Sequence, residues 1–270
     1  MITGASSGIG YYCAKELSKN NSYQVFATVR KEKDFKRLTQ EGINVLYLDL
    51  NSSESIKKCA KEFLEKTDGK IYALFNNAGY GQPGAVEDIS DRVLKEQFQT
   101  NFFGLAELTR EFLPIMREQG FGRIINHSSV LGFISLRFRG AYNASKYALE
   151  GLSDTLRLEL MDSDIWVSLI ETGPVRSDFR KNALKKFLEN IDRQNSYFKD
   201  EYKKKLKALE SEKDAPFTLG ADAVFESLLK ALQEKEPKAR YRVTKVTTIF
   251  WFLKRVLSTK KLDKVLRSIE

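Results

Sequence analysis

The sequence predicts an α/β fold, a doubly wound and mostly parallel sheet in a single domain, and three observations carry that expectation. Short β-branched runs alternate with segments of helical period along most of the chain. No repeat period and no Gly/Ser- or Pro-rich linker divides it. Its 270 residues, 42% hydrophobic and 30% charged, suffice for one large core and exclude collagen-like and disordered chains.

The elements follow in order. A glycine-rich turn opens a helix over residues 9–19, and a strand follows over 24–28. Only Met1 and Ile2 precede Thr3, whereas strands run about 5 to 6 residues, so the first strand, expected mid-sheet, reads as truncated; a natural start upstream, or a trimmed sequence, is the expectation. Strands are predicted over 44–48, 73–76, 123–128, 166–171 and 239–243, and helices over 52–65, 91–117, 141–161 and 221–232. Residues 181–213, charged and without a strand pattern, read as one or two exposed helices over the sheet's edge. The expected division is a domain over 1–243 and a basic extension over 244–270.

Charge is unevenly placed. The net charge is +9, but residues 238–270 hold ten basic and two acidic side chains. Charge spread over a domain would point to nucleic acid, whereas charge gathered in one terminal segment points to a local surface, so nucleic acid is not an expected partner. In that segment Ile249, Phe252, Leu253, Val256 and Leu257, then Leu262, Val265, Leu266 and Ile269, recur at helical spacing among lysines and arginines. Two basic amphipathic helices are expected. They suit a peripheral contact with an anionic membrane, at its inner surface, while packing on the domain or on a second copy is the plainer account.

Cys13 and Cys59 fall within helical patterns and supply no disulfide framework, so a reducing cytoplasm fits. A single histidine, His127, excludes two-histidine zinc motifs, and no spaced cluster replaces them, so no metal is expected. The amino terminus has no export signal, and no apolar run nears the roughly 18 residues of a span.

Thr3-Gly4-Ala5-Ser6-Ser7-Gly8-Ile9-Gly10 lets backbone N–H groups approach a pyrophosphate at a helix's positive end, the Rossmann-type arrangement, although such a turn alone is also a tight connection. Twenty residues on, where an acid would bind an NAD ribose, stand Arg30 and Lys31. Cationic donors there favour a 2′-phosphate, hence NADP(H); a solvated surface arginine is the alternative. Tyr142 and Lys146, four apart at the start of a helix, share one face. An ammonium beside a phenol favours phenolate and lowers a pKa that starts near 10, which suits an acid/base; an amphipathic pair is the plain reading of the spacing alone. Ser129 ends a strand at the carboxyl edge, where its hydroxyl can donate to a carbonyl oxygen. His127 faces the same way without an orienting acid, so it is expected to pack or to hydrogen-bond locally.

The set Gly4-x-x-x-Gly8-x-Gly10, Asn76-Asn77-Ala78-Gly79, Asn101, Ser129 and Tyr142-x-x-x-Lys146 resembles the short-chain dehydrogenase/reductase family over almost the whole chain. It looks most like the branch of hydroxysteroid and retinol dehydrogenases and bacterial aldehyde and ketone reductases. The resemblance implies an NADP(H) oxidoreductase in which Asn101, Ser129, Tyr142 and Lys146 are catalytic. It gives Lys146 the nicotinamide ribose and Asn101 a relay water. It gives Asp49 the adenine, Asn77, Ala78 and Gly79 the support of cofactor and sheet, and Thr172, Gly173, Val175 and Ser177 the nicotinamide. Two departures are Thr172-Gly173-Pro174 for the usual Pro-Gly and Ser177 for the usual threonine. Phe133, Phe138, Phe179 and Phe187 line an apolar pocket or belong to the core, with Phe133 and Phe179 the expected substrate contacts beside Ser129. Residues 181–213 resemble the family's variable substrate lid, and a homo-oligomer is expected. The favoured reaction is reduction of an apolar aldehyde or ketone; the alternatives are an oxidising hydroxysteroid-like or retinol-like dehydrogenase, and a redox-sensing NADP-binding module without turnover.

Overall fold

A computed structural model describes residues 1–210 and 216–269, apart from the side chains at 205 and 207–210. Strands β1 (Phe26–Val29) and β2 (Asn44–Tyr47) pair in parallel, as do β3 (Ala73–Asn76), β4 (Phe121–Ser129), β5 (Asp164–Thr172) and β6 (Arg240–Arg242) in that order. Ile2 stitches the two groups, bridging Ala27 on one side and Phe75 on the other. Its N–H donates to the Phe26 carbonyl at 2.8 Å, and its carbonyl accepts from Thr28 at 2.9 Å. The sheet therefore reads β2-β1-Ile2-β3-β4-β5-β6, and the expected first strand sits mid-sheet as a single ladder residue. Strand order reverses there, which is where open α/β sheets bind ligands.

Both faces of the sheet are buried, as parallel pairing demands. Helices α1 (Gly8–Ser18), α2 (Glu32–Gln40) and α9 (Ala221–Gln233) cover one face, packing Cys13, Leu17, Leu38, Val224 and Leu228 on Ala27, Phe75, Ile125 and Ile170. Helices α3 (Ser53–Glu65), α5 (Gly104–Gln119) and α6 (Gly140–Glu159) cover the other, with Ile56, Phe63, Leu105, Phe112 and Leu149 on Ile124 and Val167. Ile124 and Ile125 belong to opposite cores because successive strand side chains alternate.

The run predicted as one helix over 91–117 is α4 (Asp91–Phe98), a π turn at Gln99–Phe103, and α5. The charged stretch over 181–213 contains most of α7 (Phe179–Asn190) and α8 (Lys199–Glu210), while residues 211–213 lie outside the described part. The tail forms α10 (Lys245–Val256) and α11 (Thr259–Ser268). Their expected apolar stripe divides in two. Val246, Phe250, Leu253, Leu257, Leu262 and Leu266 pack on Val130, Leu131, Phe133, Ile134 and Leu136, whereas Ile249, Phe252 and Val256 face outward, each more than half exposed. Among the described residues no helix is long and apolar enough to cross a membrane.

Candidate active site

The glycine turn is shaped by what it lacks. Gly4 (φ +67°) and Gly8 (φ +59°) occupy the left-handed region, which glycine enters without strain. A Cβ on Gly10 would lie 2.4 Å from Asn77 Nδ2 and 2.5 Å from the Gly4 carbonyl oxygen. Thr3 Oγ1 accepts from the Asn77 and Ala78 N–H groups at 2.9 and 3.0 Å, pinning that segment beneath the turn. Ser7 stands at the start of α1 without a side-chain cap, leaving first-turn N–H groups for an anion. Ile9, two residues further on, is half-buried. Across the crevice, a Cβ on Gly8 would come 3.2 Å from Ser177 Cβ. A diphosphate fits these residues: close backbone, uncapped helix start, and no carboxylate in the turn.

At the ribose end Arg30 is exposed after β1. Arg37, which sequence reading passed over, donates from α2 to the Ser6 carbonyl at 2.6 Å; its only signal was a cation seven positions after Arg30. Asp49 is half-buried after β2 and accepts from the N–H and side-chain amide of Asn51 at 3.0 and 2.9 Å. At the other end Thr172 closes β5, Gly173 abuts Thr244, Val175 bridges to Leu219, and the Ser177 hydroxyl accepts from the Phe179 N–H at 3.4 Å.

Between these ends the structure brings Ser129, Tyr142 and Lys146 together. Ser129 ends β4 and accepts from the Leu131 N–H at 3.1 Å; Tyr142, near the start of α6, shares a hydrogen bond with Ser129. Lys146, one turn on, donates to the His127 carbonyl at 2.6 Å, its Nζ 5.8 Å from the Tyr142 ring centroid. The π turn carries Asn101 inward, fully buried, where it donates to the Tyr80 carbonyl at 2.9 Å and Ser145 Oγ at 3.2 Å and accepts from the Tyr80 N–H at 3.1 Å. Gly79 lies beside it.

Burial dominates the electrostatics of the site. Burial pushes the Tyr142 phenol up to about 12, against the Ser129 hydrogen bond and the Arg139 charge. Lys146 is itself drawn down to about 8 by burial, opposed by the charge of Glu150, and its Nζ is committed to the His127 carbonyl. Glu150 accepts from Ser128 Oγ and from Arg240 at 3.0 and 3.2 Å, and Arg240 also reaches Glu171 at 3.1 Å. This buried polar cluster behind the site joins residues too distant in sequence for spacing to reveal. Burial pushes both cysteine thiols up to about 12.

The four phenylalanines separate. Phe179, two-fifths exposed, meets the Tyr142 ring edge-on at 5.3 Å, and a Cβ on Gly81 would touch its ring. Phe138 and Phe187 are buried around Tyr202 at 5.4 and 5.1 Å. Phe133 packs under the tail helices, its carbonyl accepting from Lys254.

A Rossmann-type sheet with a dinucleotide crevice and a buried Ser-Tyr-Lys group defines a class of oxidoreductases. The family model "short chain dehydrogenase" matches residues 1–187, and the chain belongs to the short-chain dehydrogenase/reductase family. It is 42% identical over 268 residues to the oxidoreductase YbbO of Escherichia coli K12, covering 99% of this chain and 93% of that one. It is 32% identical over 256 residues to human 17-beta-hydroxysteroid dehydrogenase type 1, covering 90% and 76%. Among solved structures, actinorhodin polyketide ketoreductase with NADPH superposes with a TM-score of 0.72 at 25% identity over 90% and 94% of the two chains. A short-chain dehydrogenase/reductase from Burkholderia phymatum with NAD gives 0.78 at 25% over 94% and 90%. The chain is thus an oxidoreductase enzyme of this family, acting between carbonyl and alcohol.

Proposed function

We propose that the chain is an NADP(H)-dependent reductase of an apolar aldehyde or ketone. The observation that carries this reading is the convergence of Ser129 at the end of β4 with Tyr142 and Lys146 on α6, the lysine Nζ 5.8 Å from the Tyr142 ring centroid. Ser129 orients the carbonyl oxygen of the substrate by donating to it, and Tyr142 delivers the proton that oxygen needs on becoming an alcohol. The bound dinucleotide supplies the hydride. Lys146 binds its ribose and keeps positive charge near the phenol, and Asn101 orients a water that returns the proton. Thr3, Gly4, Ser6, Ser7, Gly8, Ile9 and Gly10 hold the diphosphate, Asp49 contacts the adenine, Asn77 to Gly79 support the cofactor and the central sheet, and Thr172, Gly173, Val175 and Ser177 close on the nicotinamide. Phe179, exposed beside Tyr142, supports an apolar substrate contact, with residues 181–213 as lid; Phe133, also expected as a substrate contact, packs under the tail helices instead.

NADP(H) is favoured by Arg30, exposed after β1, while of two similar structures one carries NADPH and the other NAD. Titration with both cofactors and a panel of aldehydes, ketones and steroids tests the reading. NADPH consumption with apolar carbonyls is expected, and Arg30→Asp is expected to shift preference toward NADH. Unchanged selectivity in that variant removes the NADP assignment. Faster NADP⁺ reduction by alcohols than the reverse favours the oxidising reading, and binding without turnover across the panel favours the sensor.

The tail over 244–270 carries a second proposed contact. Ile249, Phe252 and Val256 form an outward apolar ridge on a basic helix, which suits an anionic membrane surface. Sedimentation with anionic vesicles is expected to carry the chain down and to fail after Phe252→Ser with Ile249→Ser; no vesicle binding by the parent ends this contact. A homo-oligomer belongs to the same reading, supported by exposed Phe103, Tyr147 and Leu152 on adjoining helices; a monomer at all concentrations in analytical ultracentrifugation excludes it.

A further inference from the structure

The two ends of the dinucleotide crevice are joined through the chain's single histidine. Asn77 Nδ2 donates to the carbonyls of Thr3 at 2.9 Å and Gly4 at 3.4 Å, under the glycine turn. Its Oδ1 meets His127 Nδ1 at 2.9 Å. On the far side of the ring, Nε2 lies 3.3 Å from Thr172 Oγ1, where the nicotinamide loop begins. The main chain of the same residue is also held, its carbonyl accepting from Lys146.

Donor counting fixes the state of the ring. Asn77 commits its amide as donor, so its Oδ1 only accepts and Nδ1 of His127 must carry the proton. Nε2 is then bare and accepts from the Thr172 hydroxyl. That hydroxyl has one proton and also lies 3.2 Å from the Ser128 carbonyl, so it divides between two acceptors. Burial, then the Lys146 charge, holds the imidazole pKa down at about 3, and the ring stays neutral where the enzyme works.

We propose that His127 is a positioning residue, a neutral imidazole strut that ties the phosphate-binding turn to the nicotinamide loop through Asn77 and Thr172. This rests on the dinucleotide reading above and adds a role to a residue that touches neither substrate nor cofactor. Its effect is geometric: turn and loop hold opposite halves of one ligand, and misplacement by about 1 Å costs on the order of a hundredfold in rate. A ring that only held the core together would keep the same tautomer, so the response of Nε2 to bound cofactor is what separates the two roles.

Because only one histidine is present, untagged protein labelled with ¹⁵N-histidine gives one imidazole in the NMR spectrum. The expected state is neutral with Nδ1 protonated, unchanged between about pH 5 and 9, with the Nε2 resonance moving on addition of NADPH while the tautomer persists. His127→Phe keeps the ring and removes both hydrogen bonds; NADPH affinity is expected to fall about tenfold with a further loss in kcat. His127→Gln, which can donate to Asn77 and accept from Thr172, is expected to recover most of the affinity. An Nε2–H tautomer, a ring titrating at its ordinary value, or a Phe variant binding NADPH like the parent overturns the proposal. If the Phe variant does not fold, an Nε2 resonance indifferent to bound NADPH overturns it in the parent. A parent chain that binds no NADPH removes the dinucleotide reading instead, and the tautomer is still readable.

Discussion

Replacing Gly10 by Ala tests the crevice where its geometry is tightest. The added methyl would stand 2.5 Å from the Gly4 carbonyl oxygen, about 0.9 Å inside the 3.4 Å at which ordinary contact begins, and 2.4 Å from Asn77 Nδ2. Neither neighbour yields easily: one is backbone of a turn held at φ +67°, the other is bonded to Thr3, Gly4 and His127. Helix α1 must therefore move off the turn. Overpacking of this kind costs about 1–3 kcal/mol of stability. The same displacement carries the first-turn N–H groups off the diphosphate, so NADPH affinity is expected to fall by about a hundredfold. Nicotinamide fluorescence titration reads the affinity, and a thermal melt run alongside separates binding from folding. A variant that binds NADPH like the parent and melts with it would refute the claim that this turn is a cofactor cradle closed to any Cβ.

Other outcomes follow from the same structure. Gly151→Ala, on α6 with no atom within 4 Å of the new Cβ, is expected to stabilise the chain by about 0.5–1 kcal/mol, read as a raised urea midpoint. Glu171 is pushed up to about 7, chiefly by burial and then by Glu150, so between 4.5 and 7 the folded chain keeps a proton that the unfolded chain has lost, and stability falls as pH rises through that window. Glu171→Gln is expected to flatten that fall, gaining on the order of 1–3 kcal/mol relative to the parent between pH 5 and pH 8 in urea titrations. Phe179→Ala is expected to raise KM for bulky apolar carbonyls by about tenfold while leaving NADPH affinity in place; equal KM values would take Phe179 out of the substrate site.

Much of the fold was legible because a parallel sheet demands alternation, and the runs at 44–48 and 73–76 carry it in β-branched and apolar residues. Helix α2 was not, since Glu32–Gln40 offers only Phe35 and Leu38 among nine residues, too few apolar positions to establish a period. The π turn escaped too: its one extra residue barely disturbs the periodicity of residues 91–117, yet it is what turns Asn101 inward. Spacing brought out Tyr142 and Lys146 because they share one helix. It could not show that burial pushes the phenol's pKa up, nor that His127 and Glu150 connect residues 22 to 90 positions away. The phenylalanines were ambiguous for a simpler reason: ring content says nothing about which of three clusters each joins.

The reductase reading stands most directly on Tyr142→Phe, which removes one hydroxyl and leaves the ring against Phe179. With NADPH binding verified, reduction of an apolar carbonyl by this variant is expected to fall by a factor of about 10² to 10⁴, and reduction at close to the parental rate would contradict the assignment of that hydroxyl as the proton donor.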